Sequence, residues 1–298
     1  MGIVLGLGLL AQQAWQGLHA FQQAQTCVAR PIYWVAVLAA YIVAYFVQMA
    51  AWALIMRSLN APLTARAVLE GYALAFLPRY IPGSVWGYLS RNEWLAQNHQ
   101  VSYGVSTTAS LMEAALLLVT ATWVGALYWL PTLWPNALLP VGIVLLGVLA
   151  VAMVWMLTPW LAQRITKKAT EGTQIRRHTL GLLGATTLLY AIFWTLQGLA
   201  LVAIAQTLCD GMALAPFAAM AASAVAWAIG FLILFVPAGL GVREWTLGAL
   251  LVAFAAIQPG QATLLAVISR FGMIVAEIVV LAIGLHTQII NRWRQHKG

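Results

Sequence analysis

The stretch "FLILFVPAGLGVREW", from Phe231 to Trp245, joins an apolar run to a proline, two glycines and an Arg-Glu pair. A strand, a turn and a helix of a soluble protein would also fit it, so the rest of the chain must define its environment. Of 298 residues, 63% are hydrophobic and only 7% are charged, whereas an ordinary soluble domain has about 25% charged residues. The composition predicts an integral membrane protein.

Long uncharged runs predict membrane-spanning helices, because crossing a hydrocarbon core of about 30 Å takes about 20 apolar helical residues. A barrel would alternate apolar and polar residues in segments of about ten, and no such alternation is visible. The predicted fold is therefore an all-α polytopic membrane protein. The predicted spans are Ile32 to Met56, Ser102 to Leu130, Ala137 to Leu157, Leu180 to Leu208 and Gln261 to Ile289, and an uncharged run from Gly211 to Val242 leads into the opening stretch.

The amino-terminal segment "MGIVLGLGLLAQQAWQGLHAF" is apolar at first and then carries three glutamines and a histidine. It has no basic start and no cleavage site of small residues, so it does not resemble a removed signal peptide. We interpret it as a short first spanning helix, with an interfacial amphipathic helix as the alternative. With it, the chain has about six spanning helices.

Basic residues predict the topology, because Lys and Arg are retained in cytoplasmic loops. The segment "RITKKATEGTQIRR", Arg164 to Arg177, holds five basic residues and one acidic residue, and the carboxy-terminal tail is also basic. Both are predicted to be cytoplasmic. The scattered basic residues and the lack of a soluble domain argue against a nucleic-acid partner. The five histidines have no Cys or His at zinc-type spacing, so we predict no metal site and no cofactor.

Two segments repeat the same order of residues, "FLPRYIPG" from Phe76 and "FLILFVPAG" from Phe231, at an offset of 155 residues. Beyond each proline come glycines, then Arg, Glu, Trp and Leu in that order. This succession predicts a single transmembrane domain built from two internal repeats, residues 32–157 and 180–289, joined by a basic loop at 158–179.

Counting the spans places both ends of each Pro-Gly segment on the same side of the membrane. The first segment enters from one side and the second from the other. Two re-entrant helical hairpins in an inverted repeat are the result. Proline removes a backbone donor and glycine permits a sharp turn, and broken helices at membrane depth require protein or a wet cavity to satisfy the freed groups. The predicted helix breaks are Pro82, Gly83, Gly87, Pro237, Gly239 and Gly241.

Charged residues near these breaks are the candidate site, because an ionisable side chain at membrane depth costs about 2.5 to 3.5 kcal/mol at the centre of a helix. Inverted repeats with broken helices hold substrates near the midplane in many transporters. We predict that Glu113 and Arg270 form an ion pair, although snorkelling arginines and purely structural pairs are open alternatives. The candidate headgroup-binding residues are Arg243, Arg270, Arg91 and Arg79, and their charge partners are Glu113, Glu244, Glu93 and Glu277.

The strings "VPAGLGVRE" from Val236, "IPGSVWGYLSR" from Ile81 and "LMEAALLL" from Leu111 resemble the lysylphosphatidylglycerol synthetase transmembrane region family. The resemblance implies translocation of an anionic or aminoacylated lipid between leaflets of the bacterial cytoplasmic membrane. Many relatives carry an acidic residue after the glycine of the first motif, where this chain has Tyr88. The matching positions are Pro237, Gly239, Gly241, Arg243 and Glu244 in the second motif, and Pro82, Gly87 and Arg91 in the first.

Three functions are compatible with these patterns, and a flippase for a phospholipid or a polyprenyl-phosphate-linked lipid is the one we favour. A non-transporting scaffold, with a lipid- or glycan-modifying enzyme as its partner, is the first alternative. A membrane-embedded lipid-phosphate enzyme is the second, but no nucleophile or metal cluster accompanies the embedded charges. In large family members a soluble domain makes the aminoacyl lipid, and this chain ends at Gly298, so we expect no synthesis of the lipid.

Overall fold

A computed structural model describes Trp15 and residues 31–81, 85–134, 138–165, 179–208, 213–233 and 236–295. The amino-terminal segment, most of the basic loop, Pro82 and Gly83 lie outside these residues. Within them the chain forms nine α-helices and no strand. They are α1 (Pro31–Ser58), α2 (Ala65–Phe76), α3 (Trp86–His99), α4 (Tyr103–Leu133), α5 (Leu139–Ile165), α6 (Thr179–Leu208), α7 (Pro216–Leu232), α8 (Val242–Ala255) and α9 (Pro259–Gln295).

Six helical segments of the described residues are long and apolar enough to cross a membrane, and this confirms the all-α membrane fold. Five of them coincide with the spans predicted from the sequence. The sixth, Pro237–Ala255, belongs to the second Pro-Gly segment, where the sequence predicted half of a re-entrant hairpin. The membrane-side placement of both hairpins stays a prediction. The six segments are Ile32–Ser58, Tyr103–Leu133, Leu139–Leu157, Gly181–Leu208, Pro237–Ala255 and Pro259–Ile289.

Local signals fix several helix ends. The side chains of Thr64 and Ser102 cap α2 and α4 by accepting hydrogen bonds from the backbone N–H groups of Ala67 and Val105. These bonds satisfy donors that have no partner inside the helix. Helix α3 ends at Gln100, whose left-handed backbone closes the last turn. Short polar caps therefore divide the segment before α4 into separate helices.

Contacts between the two halves bring the broken segments together. Helix α1 packs most extensively against α6, while α2 packs against α9 and α4 against α7. Helices α2 and α3 pack on each other as a helical hairpin, as do α7 and α8. The 3₁₀ turns that interrupt these hairpins, Pro78–Tyr80 and Pro237–Gly239, contact each other. The two breaks thus meet at one place between the halves.

The second break is the more contorted of the two. Ala238, Gly239 and Gly241 all have positive φ, at 48°, 66° and 83°, a conformation that glycine adopts readily and alanine does not. A Cβ on Gly239 would lie 2.9 Å from the carbonyl oxygen of Gly230 at the end of α7. The glycine therefore lets the turn pack directly on the backbone of the preceding helix, as the predicted helix break requires.

Candidate functional site

A cavity of about 120 Å³ lies where the two broken hairpins meet. Its volume has room for several water molecules. Tyr45, Phe193 and Glu277 on its wall lie near the midpoints of the candidate spans Ile32–Ser58, Gly181–Leu208 and Pro259–Ile289. The cavity is therefore at membrane depth. The charged residues on its wall are Arg79, Arg91, Arg243, Arg270, Glu113 and Glu277.

A tight ion pair joins α3 to α4 on one wall. The Nη2 atom of Arg91 donates to Oε2 of Glu113 at 2.6 Å, and the two side chains are only 2% and 1% exposed. The Tyr72 hydroxyl also donates to Glu113, and Arg91 donates to Ser110 Oγ at 3.1 Å. The Arg91 guanidinium lies 4.2 Å from the centre of the Trp52 ring, a favourable cation–π contact. This pair is buried and supported on both sides.

Glu277 gathers three donors from different parts of the chain. It accepts hydrogen bonds from the Tyr45 hydroxyl at 2.6 Å, the Tyr80 hydroxyl at 2.8 Å and Arg79 Nη1 at 3.1 Å. Tyr45 lies on α1, whereas Arg79 and Tyr80 lie on the first 3₁₀ turn. Glu277 on α9 thereby ties the first break to two spanning helices. Hydrogen bonds to a charged group contribute about 1.5 to 3 kcal/mol each.

The second break holds a looser pair. Glu244 Oε2 accepts a hydrogen bond of 2.6 Å from the Gly241 backbone N–H, which caps α8. Its other oxygen, Oε1, lies 3.6 Å from Arg270 Nε, beyond normal hydrogen-bond length. Both of these facing atoms lack a hydrogen-bond partner among the described residues. Arg270 Nη2 instead donates to the Ala238 carbonyl at 3.3 Å.

Arg243 completes the wall of the cavity and differs from the other three arginines. It is 7% exposed and is the second residue of α8, just before Glu244. Within the part of the chain that the structure describes, it forms no hydrogen bond and no ion pair. Its Cβ packs near Gly230, where an added Cβ would come within 3.0 Å. Glu244 attracts it electrostatically, but among the described residues no carboxylate lies at ion-pair distance from Arg243.

Comparison with known proteins gives the family of this chain. The family model described as "Lysylphosphatidylglycerol synthase TM region" matches residues 1–284. The chain belongs to this family. No curated protein and no solved structure matches it. The name describes a membrane region, in agreement with the six candidate spans.

In this family member, the predicted pair between Glu113 and Arg270 is wrong. Each forms an ion pair with a residue on the helix just before its own: Glu113 with Arg91, and Arg270 with Glu244. The two pairs occupy related places in the two halves, with the order of charges reversed. Short-range packing between consecutive helices thus determines these pairs.

Two further sequence predictions need correction. Glu93 is exposed and contacts Gln97 and Tyr103 outside the cavity, because it lies two residues after Arg91 and so on the opposite face of α3. Gly87 does not break a helix, since it is the second residue of α3. A Cβ there would lie 2.8 Å from the Ala75 carbonyl, so Gly87 allows close packing of α3 on α2.

The sequence analysis also missed polar residues at the site. Tyr45, Tyr72 and Tyr80 supply hydroxyl donors to the two cavity glutamates, and Gln48 Nε2 lies 3.5 Å from Glu113 Oε1. A signal for two of them was present, because Tyr45 and Gln48 are spaced i, i+3 on one face of an otherwise apolar span.

Proposed function

We propose that this protein is a flippase that moves a phosphate-containing lipid between membrane leaflets through the arginine-lined cavity. The observation that carries the proposal is Arg243, which is buried at the cavity wall without a described ion-pair partner. A buried charge without a counterion costs several kcal/mol. An anionic headgroup in the cavity would supply that counterion.

Arg270 is the second residue that we expect to bind the phosphate. Its Nε has no hydrogen-bond partner among the described residues and faces Glu244 at 3.6 Å. A phosphate oxygen could accept a hydrogen bond from this Nε–H at normal distance, because arginine binds phosphate through charge-assisted hydrogen bonds. Glu244 would then keep its bond from the Gly241 N–H. Arg91 is the third candidate, although its charge is already paired with Glu113.

The arrangement of the halves supports alternating access as the mechanism. We propose that residues 32–157 and 180–289 are duplicated units, because the contact of α4 with α7 is matched by that of α9 with α2. The two 3₁₀ turns touch each other beside the cavity, so separating them on one side or the other would open it. Broken helices that meet near the midplane are a recurrent transporter design. The lipid tails would remain in the bilayer.

The test is headgroup translocation in proteoliposomes that contain the wild type, Arg243→Gln or Arg57→Gln. Arg57 is the matched control, because it is an exposed arginine in the last turn of α1 and does not line the cavity. We expect Arg243→Gln to slow translocation at least about tenfold, as for loss of a buried charged hydrogen bond. Arg57→Gln should leave the rate within about twofold.

The same assay can reject the proposal. If monodisperse wild-type protein moves no lipid, with or without an imposed proton or voltage gradient, the flippase is excluded under those conditions. The scaffold function, with a lipid- or glycan-modifying enzyme as the partner, would then be the better explanation. Equal translocation rates for Arg243→Gln and the wild type would reject the binding role of Arg243, and the flippase function would still stand.

A further inference from the structure

The charges around the cavity point to a narrower substrate class than the family name suggests. We infer that the cavity selects lipids whose headgroup carries a net negative charge, and that it excludes headgroups with an ammonium group, including aminoacylated ones. This inference rests on the proposed function and names the substrate of the same site. It follows from the arginines and hydrogen-bond donors that each carboxylate already contacts.

Four arginines and two carboxylates line the cavity, and a third carboxylate, Glu244, lies behind its wall. Each carboxylate has one arginine at ion-pair distance: Glu113 with Arg91 at 2.6 Å, Glu277 with Arg79 at 3.1 Å and Glu244 with Arg270 at 3.6 Å. The fourth arginine, Arg243, has no such carboxylate among the described residues. These seven side chains together therefore carry one excess positive charge.

The carboxylates have little capacity left for a cationic guest. Glu277 already accepts from two tyrosine hydroxyls and an arginine. Glu113 is 1% exposed and accepts from Arg91 and Tyr72. Glu244 is 2% exposed, is held by the Gly241 N–H and is absent from the cavity wall. An ammonium group entering the cavity would therefore find Glu113 and Glu277 already bonded and Glu244 buried behind the wall.

The charges of the cavity distinguish three classes of lipid headgroup. A headgroup with a phosphate and only neutral polar groups brings at least one negative charge to Arg243 and offsets the excess positive charge. A zwitterionic headgroup adds an ammonium that has no carboxylate partner in the cavity, and a lysylated glycerol headgroup brings two. Buried charges without partners are strongly unfavourable. The preference should therefore follow net headgroup charge.

The shared chemistry of the favoured guest is a phosphate with neutral substituents, and two lipids supply it. One is a phosphodiester such as phosphatidylglycerol, with a single negative charge, and the other is a polyprenyl monophosphate, which carries about 1.5 to 2 negative charges at pH 7. The cavity of about 120 Å³ suits either phosphate group, because in both lipids the long tails stay in the membrane. The experiment separates the two sources.

The experiment uses the full-length chain in proteoliposomes with four lipids: phosphatidylglycerol, phosphatidylethanolamine, lysylphosphatidylglycerol and a polyprenyl monophosphate. The three phospholipids carry the same acyl-chain fluorophore, whose quenching by dithionite reports the outer leaflet, and a membrane-impermeant phosphatase reports the polyprenyl phosphate. We expect phosphatidylglycerol to move at least about tenfold faster than the other two phospholipids. Movement of the polyprenyl phosphate alone would also support selection of an anionic headgroup, and it would show that the substrate has a polyprenyl tail.

A charge-reversal variant sharpens the test. Arg243→Glu replaces the excess positive charge by an excess negative one, so we expect it to lose phosphatidylglycerol transport and to favour lysylphosphatidylglycerol. Arg243→Lys should keep the wild-type order of lipids, because it keeps the charge. Wild-type transport of lysylphosphatidylglycerol as fast as phosphatidylglycerol would overturn the charge selection and leave the flippase intact. Failure of every lipid to move would reject the flippase itself.

Discussion

Arg91–Glu113 in the first half and Glu244–Arg270 in the second occupy equivalent places, each joining the helix after a break to the following long helix. The first pair has a direct contact of 2.6 Å, and Tyr72 donates a further bond to its carboxylate. The second pair is 3.6 Å apart, and the two atoms that face each other have no hydrogen bond among the described residues. The first pair therefore has a direct hydrogen bond that the second lacks, although Arg91 Nε also has no partner among the described residues.

This difference suggests that the pair in the first half stabilises the fold and that the pair in the second half takes part in binding. Breaking a fully buried pair leaves an uncompensated charge and is strongly destabilising, so the first pair is suited to hold α3 on α4. The second pair can exchange partners at lower cost, because Arg270 retains the Ala238 carbonyl and Glu244 retains the Gly241 N–H. Arg243, which has no carboxylate at ion-pair distance among the described residues, is next to Glu244 on α8 and lines the cavity.

Glu113→Gln should lower stability more than either Glu244→Gln or Glu93→Gln. It keeps the shape of the side chain and leaves Arg91 charged and 2% exposed, so we expect a loss of about 3–5 kcal/mol in the free energy of unfolding. Denaturant titration in detergent micelles measures it. The double variant Arg91→Gln with Glu113→Gln should recover part of the loss, because it removes both charges. A loss below about 1 kcal/mol would show that the two pairs do not differ in this way.

Much of the fold follows from the sequence, because hydrophobic runs of this length have few alternatives in a bilayer. Five spans and the break at Pro237 were predictable from runs and breaker residues alone. The predicted cavity residues Arg79, Arg91, Arg243 and Arg270 do line one cavity. The charge placement was informative because each embedded charge is too costly to retain without a partner or a purpose.

The pairing was not predictable, because it depends on how far each helix is rotated about its axis. A rotation of one residue, about 100°, changes which face of a helix meets its neighbour. The 3₁₀ turns Pro78–Tyr80 and Pro237–Gly239 interrupt the helical repeat, so this rotation cannot be counted along the sequence. Helical periodicity alone could have separated Arg91 from Glu93. The tyrosine donors to Glu277 come from distant parts of the chain, so no local pattern reveals them.

Glu244→Gln should lower stability less than Glu113→Gln does. It should also strengthen the binding of an anionic headgroup. The amide oxygen can still accept the Gly241 N–H bond, so we expect a loss of about 1–2 kcal/mol in the free energy of unfolding. Without the competing carboxylate, Arg270 should bind a phosphate headgroup more tightly. Equilibrium binding of phosphatidylglycerol to the detergent-solubilised protein measures this change. Weaker binding would mean that Glu244 positions Arg270 instead of competing for it.

Glu93→Gln should have the smallest effect of the three carboxylate substitutions. The side chain is exposed, and its partners Gln97 and Tyr103 lie outside the cavity, so the change in the free energy of unfolding should stay within about 0.5 kcal/mol. Lipid translocation should also match the wild type. A loss as large as that of Glu113→Gln would place Glu93 at the site and restore the assignment made from the sequence. Because all three variants replace a carboxylate by an amide of the same shape, their order depends on burial and partners alone.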